Sequence, residues 1–195
     1  MGSFRGLLDT FDIVEFYVID NDDIKIQISQ GRTRMSFFIL FSVPLFRYWN
    51  METLDHFYST DIQDVGIHGN RGKNSYISEG VECQIYKVHV PGTIPLYRYI
   101  LPGPQEDHFY TTDENEIGTT EPGQVGKYGY KMEEIAGYCY ANPTAGTVPL
   151  YVYHKASTVD HLYTTHGDEL GENTPFIYQK KGYDYEGIAC HVYPD

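Results

Sequence analysis

The chain has 195 residues and a mass of 22.4 kDa, with 27 acidic and 14 basic residues and a net charge of −13. This surplus of acid argues against a nucleic-acid or anionic-membrane partner, because phosphate groups are bound by clustered lysine and arginine. Hydrophobic residues make up 41% and aromatic residues 15%, with 19 tyrosines, which excludes a disordered acidic chain and favours β structure.

The first 42 residues predict an extension that contains a β-hairpin. Two strand-like runs at 16–19 and 24–28 flank the turn-forming residues 20–23. The apolar run at 34–43 is interpreted as a buried strand, with a chain start at Met35 as the alternative. The sequence has no N-terminal signal peptide and no apolar run of membrane length, so we expect a cytoplasmic protein or one secreted by a non-classical route.

Residues 43–195 consist of three copies of one unit, at 43–93, 94–147 and 148–195. Each copy opens with a Pro-Leu-aromatic run that starts at Pro44, Pro95 or Pro149. An Asp-His-Phe/Leu-Tyr-Ser/Thr-Thr block follows 11 or 12 residues later, and a Lys-x-Ser/Gly-Tyr-x-x-Glu block comes after it. Equivalent positions recur every 51–54 residues. Three matched blocks in the same order identify an internal repeat.

Each repeat predicts about four strands, with one helical turn at 113–117 as the only helical signal. A proline at the first position of a strand is tolerated, because its missing N–H is not needed there. The aromatic and β-branched blocks and the polar loops between them indicate hairpins. Three such units predict an all-β, pseudo-threefold β-trefoil-like barrel, with a three-bladed propeller or an open array as alternatives.

The cysteines predict free thiols in a reducing compartment. There are only three, an odd number that does not form a disulfide framework, and no Cys-x-x-Cys pair suggests zinc. They are Cys83, Cys139 and Cys190.

The units resemble a tandem-repeat family of otherwise unknown function. Its copies read Pro-Leu-Tyr-Arg-Tyr, then Asp-His-Phe-Tyr-Thr-Thr, then Gly-Tyr-x-x-Glu-Gly-Ile-Ala, and the similarity covers residues 43–195. Such copies occur in secreted proteins, often beside hydrolase domains, and in lectin-like proteins. The resemblance implies carbohydrate recognition rather than catalysis. The Gln-x-Trp mark of ricin-type trefoil lectins is absent from the sequence, so the site residues of that group do not carry over.

The Asp-His pair of each repeat is the sharpest candidate for a sugar site. A turn position at the start of the strand allows both side chains to face one pocket. There the carboxylate would accept hydrogen bonds from sugar hydroxyls and the imidazole would donate one. The structural alternative is that the aspartate caps the hairpin backbone and the histidine packs beside tyrosine. The pairs are Asp55–His56, Asp107–His108 and Asp160–His161.

Three more sets of recurring side chains complete the predicted sugar site. The arginine is a fork-shaped donor to a ligand or a partner in a local ion pair. The glutamate contacts the ligand or pairs with the repeated lysine, and the outward tyrosine of the first strand offers a stacking surface. The sets are Arg47 and Arg98, with Val152 in the third copy; Glu79, Glu133 and Glu186, with Lys73, Lys127 and Lys180; and Tyr48, Tyr99 and Tyr153.

We therefore expect a non-enzymatic lectin with up to three equivalent shallow sites, with a galactose-type hexose as a candidate ligand. A protein-interaction or protease-inhibitor scaffold that uses the loops 65–72 and 119–126 is the alternative. A glycoside-acting hydrolase is a third hypothesis, for which the sequence singles out no carboxylate pair. No catalytic residue, metal ligand or cofactor is predicted, and Ca²⁺ at an Asp-bearing loop stays open. The expected partner is a carbohydrate or glycoconjugate, with homo-oligomerisation through the N-terminal extension.

Overall fold

The computed structural model describes residues 42–65, 75–168 and 182–195 in full, the backbone of 169–170, and four strands within the first 41 residues. The chain divides into two compact units, 1–41 and 42–195. The first unit is an antiparallel sheet of four strands in chain order, and its second and third strands pair at the position of the predicted hairpin. The strands are β1 (Phe4–Leu8), β2 (Asp12–Asp20), β3 (Asp23–Gln30) and β4 (Thr33–Ile39).

The described residues of the second unit form nine strands in three sets of three, one set from each repeat. Within a set, the first strand is central and pairs antiparallel with the other two. A single helical turn follows the second strand of each set: α1 (Ile62–Val65), α2 (Glu114–Ile117) and α3 (Gly167–Leu170). The strands are β5 (Ser42–Asn50), β6 (Asp55–Ser59), β7 (Tyr76–Tyr86); β8 (Thr93–Leu101), β9 (Asp107–Thr111), β10 (Lys131–Tyr140); and β11 (Val148–Lys155), β12 (Asp160–Thr164), β13 (Asp184–Pro194).

The predicted all-β class is confirmed, but the described residues of each repeat form three strands instead of four. The closing block, predicted as a second hairpin or bent strand pair, is one strand with two β-bulges. The third strands β7, β10 and β13 pair with one another near their ends, for example Tyr138 with Tyr86 and Tyr140 with His191. The described strands form an antiparallel sheet with an open strand order. No helix in the described part of the chain has the length and apolar character to span a membrane.

The centre of the second unit is a ring of three buried tyrosines, one from each repeat. Each hydroxyl accepts a hydrogen bond from the backbone N–H of the next tyrosine at 2.8 Å. It also donates to the carbonyl oxygen of that same residue at 2.7–2.8 Å. Burial raises the pKa of all three well above the ordinary value, so they remain donors. The ring consists of Tyr58, Tyr110 and Tyr163, packed edge to face at 5.3–5.6 Å.

A disulfide joins Cys139 on β10 to Cys190 on β13. The prediction of three free thiols is therefore wrong for these two, and only Cys83 is free, in the core. The two residues are 51 positions apart, and the pairing of the ends of β10 and β13 brings their sulfur atoms together. Disulfides are typical of proteins in oxidising compartments.

Candidate functional site

The aspartates of the three Asp-His pairs are completely buried, and each binds the histidine of a different repeat. The Asp55 carboxylate accepts the backbone N–H of His108 at 2.8 Å and its Nδ1 at 2.6 Å. The three bonds of this kind run from the first repeat to the second, from the second to the third and from the third to the first. The other two pairs are Asp107 with His161, at 2.9 and 2.7 Å, and Asp160 with His56, both at 2.9 Å.

A tyrosine of the same repeat donates a further hydrogen bond to each aspartate. Tyr130 donates to Asp107, for example, and burial together with that carboxylate raises its pKa, so the hydroxyl keeps its proton. Oxygen atoms of the three aspartates lie within 4.8 Å of one another. Each aspartate accepts three hydrogen bonds and has no exposed surface, so Asp55, Asp107 and Asp160 cannot receive a sugar from solvent, which corrects the predicted site. The tyrosines are Tyr76, Tyr130 and Tyr183.

The second ring nitrogen of each histidine faces a glutamate. Nε2 of His108 lies 3.7 Å from Oε2 of Glu133, on the side away from Asp55. In each repeat the glutamate is the extra residue of a β-bulge, so its neighbours pair with the central strand while it does not. Bulges re-aim side chains, and here they aim a carboxylate at an imidazole. The equivalent distances are 3.8 Å for His56 to Glu79 and 3.6 Å for His161 to Glu186.

The aspartates favour the charged form of two of these histidines. Burial by itself lowers the pKa of His108, but the hydrogen bond and charge of Asp55 outweigh it, and the pKa is raised above its ordinary value. The pKa of His161 is raised in the same way, with burial opposed by Asp107 and Glu186. The imidazolium of His108 is therefore matched by a carboxylate on each side.

The two predicted arginines form ion pairs, as the structural alternative stated. Arg98 Nε lies 2.8 Å from Glu133, and its other arm lies 3.0 Å from Glu134. Arg47 lies 2.8 Å from both Glu79 and Glu82. The predicted lysine–glutamate pair is not seen in the second repeat, where Lys127 donates to a backbone carbonyl. Lys73 and Lys180 lie outside the described residues.

The three tyrosines predicted as stacking surfaces are buried. Tyr48, Tyr99 and Tyr153 are 0–2% exposed and pack in the peripheral core of their own repeats. Alternation along the strand predicts that these tyrosines face away from the core. In the structure both faces of the strand are covered, so the tyrosines are buried as well. Their stacking role is therefore withdrawn.

Two equivalent open pockets lie where neighbouring repeats meet. The pocket between the first and second repeats has a volume of about 230 Å³ and presents the edge of His108 and the carboxylate of Glu133 beside Arg98. An aromatic wall from the first repeat, Phe57 and Tyr76, completes it. The pocket between the second and third repeats, about 340 Å³, is lined by the equivalent residues Phe109, Tyr130, His161 and Glu186, with His154 and Tyr128 in addition.

Tyr128 is a candidate that sequence reasoning missed. Its side chain is 81% exposed at the second pocket, and its backbone is held at a φ of 59° in a single 3₁₀ turn. A non-glycine residue in this left-handed conformation is uncommon and often marks a functional position. The sequence indicates candidate residues by their recurrence in the repeats, and Tyr128 does not recur, so the sequence does not single it out.

The family model described as a domain of unknown function, DUF5648, matches residues 44–193. The chain belongs to the DUF5648 family. Comparisons with curated proteins and with solved structures give no significant match. In this DUF5648 domain, each pocket sets a carboxylate, a buried imidazole and aromatic edges around a shallow opening. Such a set can orient a polyhydroxylated ligand by hydrogen bonds and hold its apolar face against a ring.

Proposed function

We propose that this DUF5648 domain is a non-enzymatic carbohydrate-binding protein that binds sugars in the pockets between neighbouring repeats. The observation that supports this most is the duplication of the pocket. Each pocket places a partly exposed glutamate against the outward nitrogen of a buried histidine, beside an aromatic wall. Two shallow sites in equivalent positions are better suited to multivalent binding than to catalysis, which needs one dedicated constellation.

The carboxylates are the proposed hydrogen-bond acceptors for sugar hydroxyls. The side chain of Glu133 is 27% exposed and that of Glu186 is 43% exposed, so both remain accessible from the pocket. Arg98 and His108 hold Glu133 in place and add donors at its edge. Charge-assisted hydrogen bonds are stronger than neutral ones, which favours a ligand rich in hydroxyl groups.

The aromatic groups are the proposed stacking surface. In the second pocket the exposed ring of Tyr128 stands beside the apolar side chains of Leu101 and Ile117. A galactose-type hexose has a continuous patch of C–H groups on one face, which would pack on such a ring while its hydroxyls reach the glutamate. The predicted trefoil-like closure, with a third equivalent pocket between the third and first repeats, also remains a proposal, supported by the threefold recurrence of the Asp-His bonds and the tyrosine ring.

Glycan-array screening of the whole chain, followed by calorimetric titration of the strongest hit, tests this function. Glu133→Gln is expected to weaken binding at the first pocket by roughly tenfold, the equivalent of 1.4 kcal/mol. Tyr128→Ala is expected to weaken sugar binding at the second pocket, between the second and third repeats, by a similar factor. The control is Glu114→Gln, an exposed glutamate on α2 that lines neither pocket and is expected to bind like wild type.

If the folded protein binds no glycan, or if both pocket variants bind like wild type, the sugar site is not where we place it. The same samples are examined for cleaved glycan. Turnover that is lost in Glu133→Gln would favour the hydrolase hypothesis and contradict a purely binding role.

A protein-interaction scaffold is the second candidate, and one observation favours it. Val125 and Tyr128 are 65% and 81% exposed, which places two large apolar side chains on the surface just after α2. Contiguous exposed apolar patches mark contact surfaces, and these two side chains lie within four residues of each other in the sequence. In that case, replacement of loop 119–126 would abolish partner binding and Glu133→Gln would leave it unchanged. The other predicted loop, 65–72, lies almost entirely outside the described residues.

A further inference from the structure

We propose that His154, His161 and Glu186 form a zinc-binding site in the third repeat. Nδ1 of His154 lies 3.8 Å from Oε1 of Glu186, and Nε2 of His161 lies 3.6 Å from Oε2 of the same residue. One ligand atom from each of the three side chains lies within 4.8 Å of the others. This proposal concerns metal binding alone and does not depend on the sugar.

The three side chains lie near the spacing of a zinc site but are not yet at it. With metal–ligand bonds of about 2.0–2.1 Å, two ligands of a tetrahedral ion are about 3.3–3.4 Å apart. The separations of 3.8 and 3.6 Å run to different oxygens of Glu186, so a shared ion requires the side chains to move closer together. The imidazole rings of His154 and His161 face each other across β11 and β12 at 4.4 Å, with 19° between their planes. Because the two rings are stacked, zinc binding requires one of them to turn, and His154 is the more exposed of the two, at 26% against 10%.

The more buried ligand is already oriented as a metal-bound histidine would be. Nδ1 of His161 bonds Asp107 at 2.7 Å, and Asp107 is in turn fixed by Tyr130. Metal-binding histidines almost always donate their other ring nitrogen to a carboxylate or carbonyl, which fixes the ring and raises its basicity. Here this arrangement leaves Nε2 of His161 directed at Glu186.

The third repeat differs from the other two at two positions beside this glutamate. In the first and second repeats, the glutamate is neutralised by Arg47 or Arg98 at 2.8 Å. The third repeat has Val152 at that position, and within the described residues Glu186 has no arginine or lysine partner. At the position of His154, the other repeats have Trp49 and Ile100, each also opposite the histidine of its own repeat. The third repeat has thus lost a fixed cation beside the carboxylate and gained an imidazole.

The donor set selects the kind of metal. Two imidazole nitrogens and one carboxylate oxygen suit Zn²⁺, whereas Ca²⁺ requires six to eight oxygen ligands. Three protein ligands leave one coordination position open, and the three side chains line the second pocket. The ion would therefore face solvent there, as zinc does in sites that bind an external ligand.

Calorimetric titration of the EDTA-treated, desalted whole chain with ZnCl₂ in the absence of sugar tests the site. We expect one zinc ion to bind per chain at this site and CaCl₂ to give no binding there. His154→Ile, which installs the residue of the second repeat, is expected to weaken this event by at least about tenfold, because loss of an outer-shell partner alone costs about 10–100-fold. His89→Ala, at an exposed histidine that is not part of this cluster, is the matched control and is expected to bind zinc like wild type.

Glu186→Gln is the second variant, and it decides the matter if His154→Ile does not fold. A folded wild-type chain that binds no zinc would overturn the proposal, as would undiminished binding by the folded variants. Glu133→Gln, which tests the sugar site in the other pocket, is expected to bind zinc normally. Failure of the sugar proposal and failure of the zinc proposal therefore give different results.

Discussion

The Asp55 carboxylate holds His108, which belongs to the next repeat, through both its backbone N–H and its Nδ1, at 2.8 and 2.6 Å. The two residues of each Asp-His dipeptide therefore bind different neighbours. Asp107 binds forward to His161, while His108 binds back to Asp55. The Asp-His motif, the most conspicuous one in the sequence, therefore joins neighbouring repeats, and we call each Asp–His contact between repeats an Asp-His joint. Of the pair, only the outward edge of the histidine, with Nε2, is left to face a ligand.

Removal of one of these buried aspartates is expected to destabilise the fold. Asp107→Ala leaves three donors without an acceptor, the N–H and Nδ1 of His161 and the hydroxyl of Tyr130. Breaking a buried charged pair in this way costs about 3–5 kcal/mol. Urea unfolding followed by circular dichroism measures the loss. Asp113→Ala, which removes the N-cap of α2, is the control and should cost about 1 kcal/mol. If both substitutions cost equally little, the bond between Asp107 and His161 does not hold the repeats together.

The stability of the protein is expected to decrease as the pH rises above 6.5. The pKa values of His108 and His161 are raised above 6.5 in the folded state, because Asp55 and Asp107 outweigh the effect of burial. Such a group contributes its full stabilisation below the unfolded pKa and loses it as the pH rises through the folded pKa. Urea unfolding at a series of pH values from about 6 to 9 measures the decrease.

The matched variant for this pH dependence is His108→Asn. Its side-chain amide keeps a donor near the position of Nδ1 but does not titrate. The decrease in unfolding free energy with pH should be shallower in this variant, since only His161 would then contribute of the two. An unchanged slope, or a wild-type stability that rises over this range, would rule out the assigned charge pairing.

The tyrosine ring should be sensitive to loss of a single oxygen atom. Tyr163→Phe leaves both the N–H and the carbonyl of Tyr110 without their buried partner. At about 1–3 kcal/mol for each of the two unsatisfied groups, the expected loss is about 2–6 kcal/mol in the free energy of unfolding. Tyr128→Phe makes the same chemical change on an exposed side chain and should alter stability by less than about 0.5 kcal/mol. Similar effects of the two substitutions would mean that the hydrogen bonds between Tyr163 and Tyr110 are not formed.

The disulfide between Cys139 and Cys190 is expected to stabilise the fold by constraining the unfolded chain. A loop closed over 51 residues corresponds to about 4 kcal/mol in the chain-entropy account. Thermal unfolding with and without dithiothreitol measures the difference. Thiol titration in denaturant provides the independent check, with one reactive thiol, that of Cys83, before reduction and three after it. Three thiols before reduction would show that the bond is not formed.

The candidate site was only partly predictable, and the reason is visible in single residues. Glu133 and Glu186 were identified because they recur, and the structure places both in pockets. Their direction depends on β-bulges, which no residue pattern announced. His154 and Tyr128 occur in one repeat each, so a search for recurring positions passed over them.

The sequence by itself determined the strand-forming blocks, their threefold recurrence and the chemical groups that each repeat carries, because these follow from local patterning and repetition. Only the tertiary structure decided which groups meet. The bonds of the Asp-His joints span 53, 54 and 104 positions, a distance over which periodicity says nothing about partners. It also buried Tyr48 and turned Glu133 outward, because side-chain exposure depends on what covers each face of a strand and on where its pairing slips.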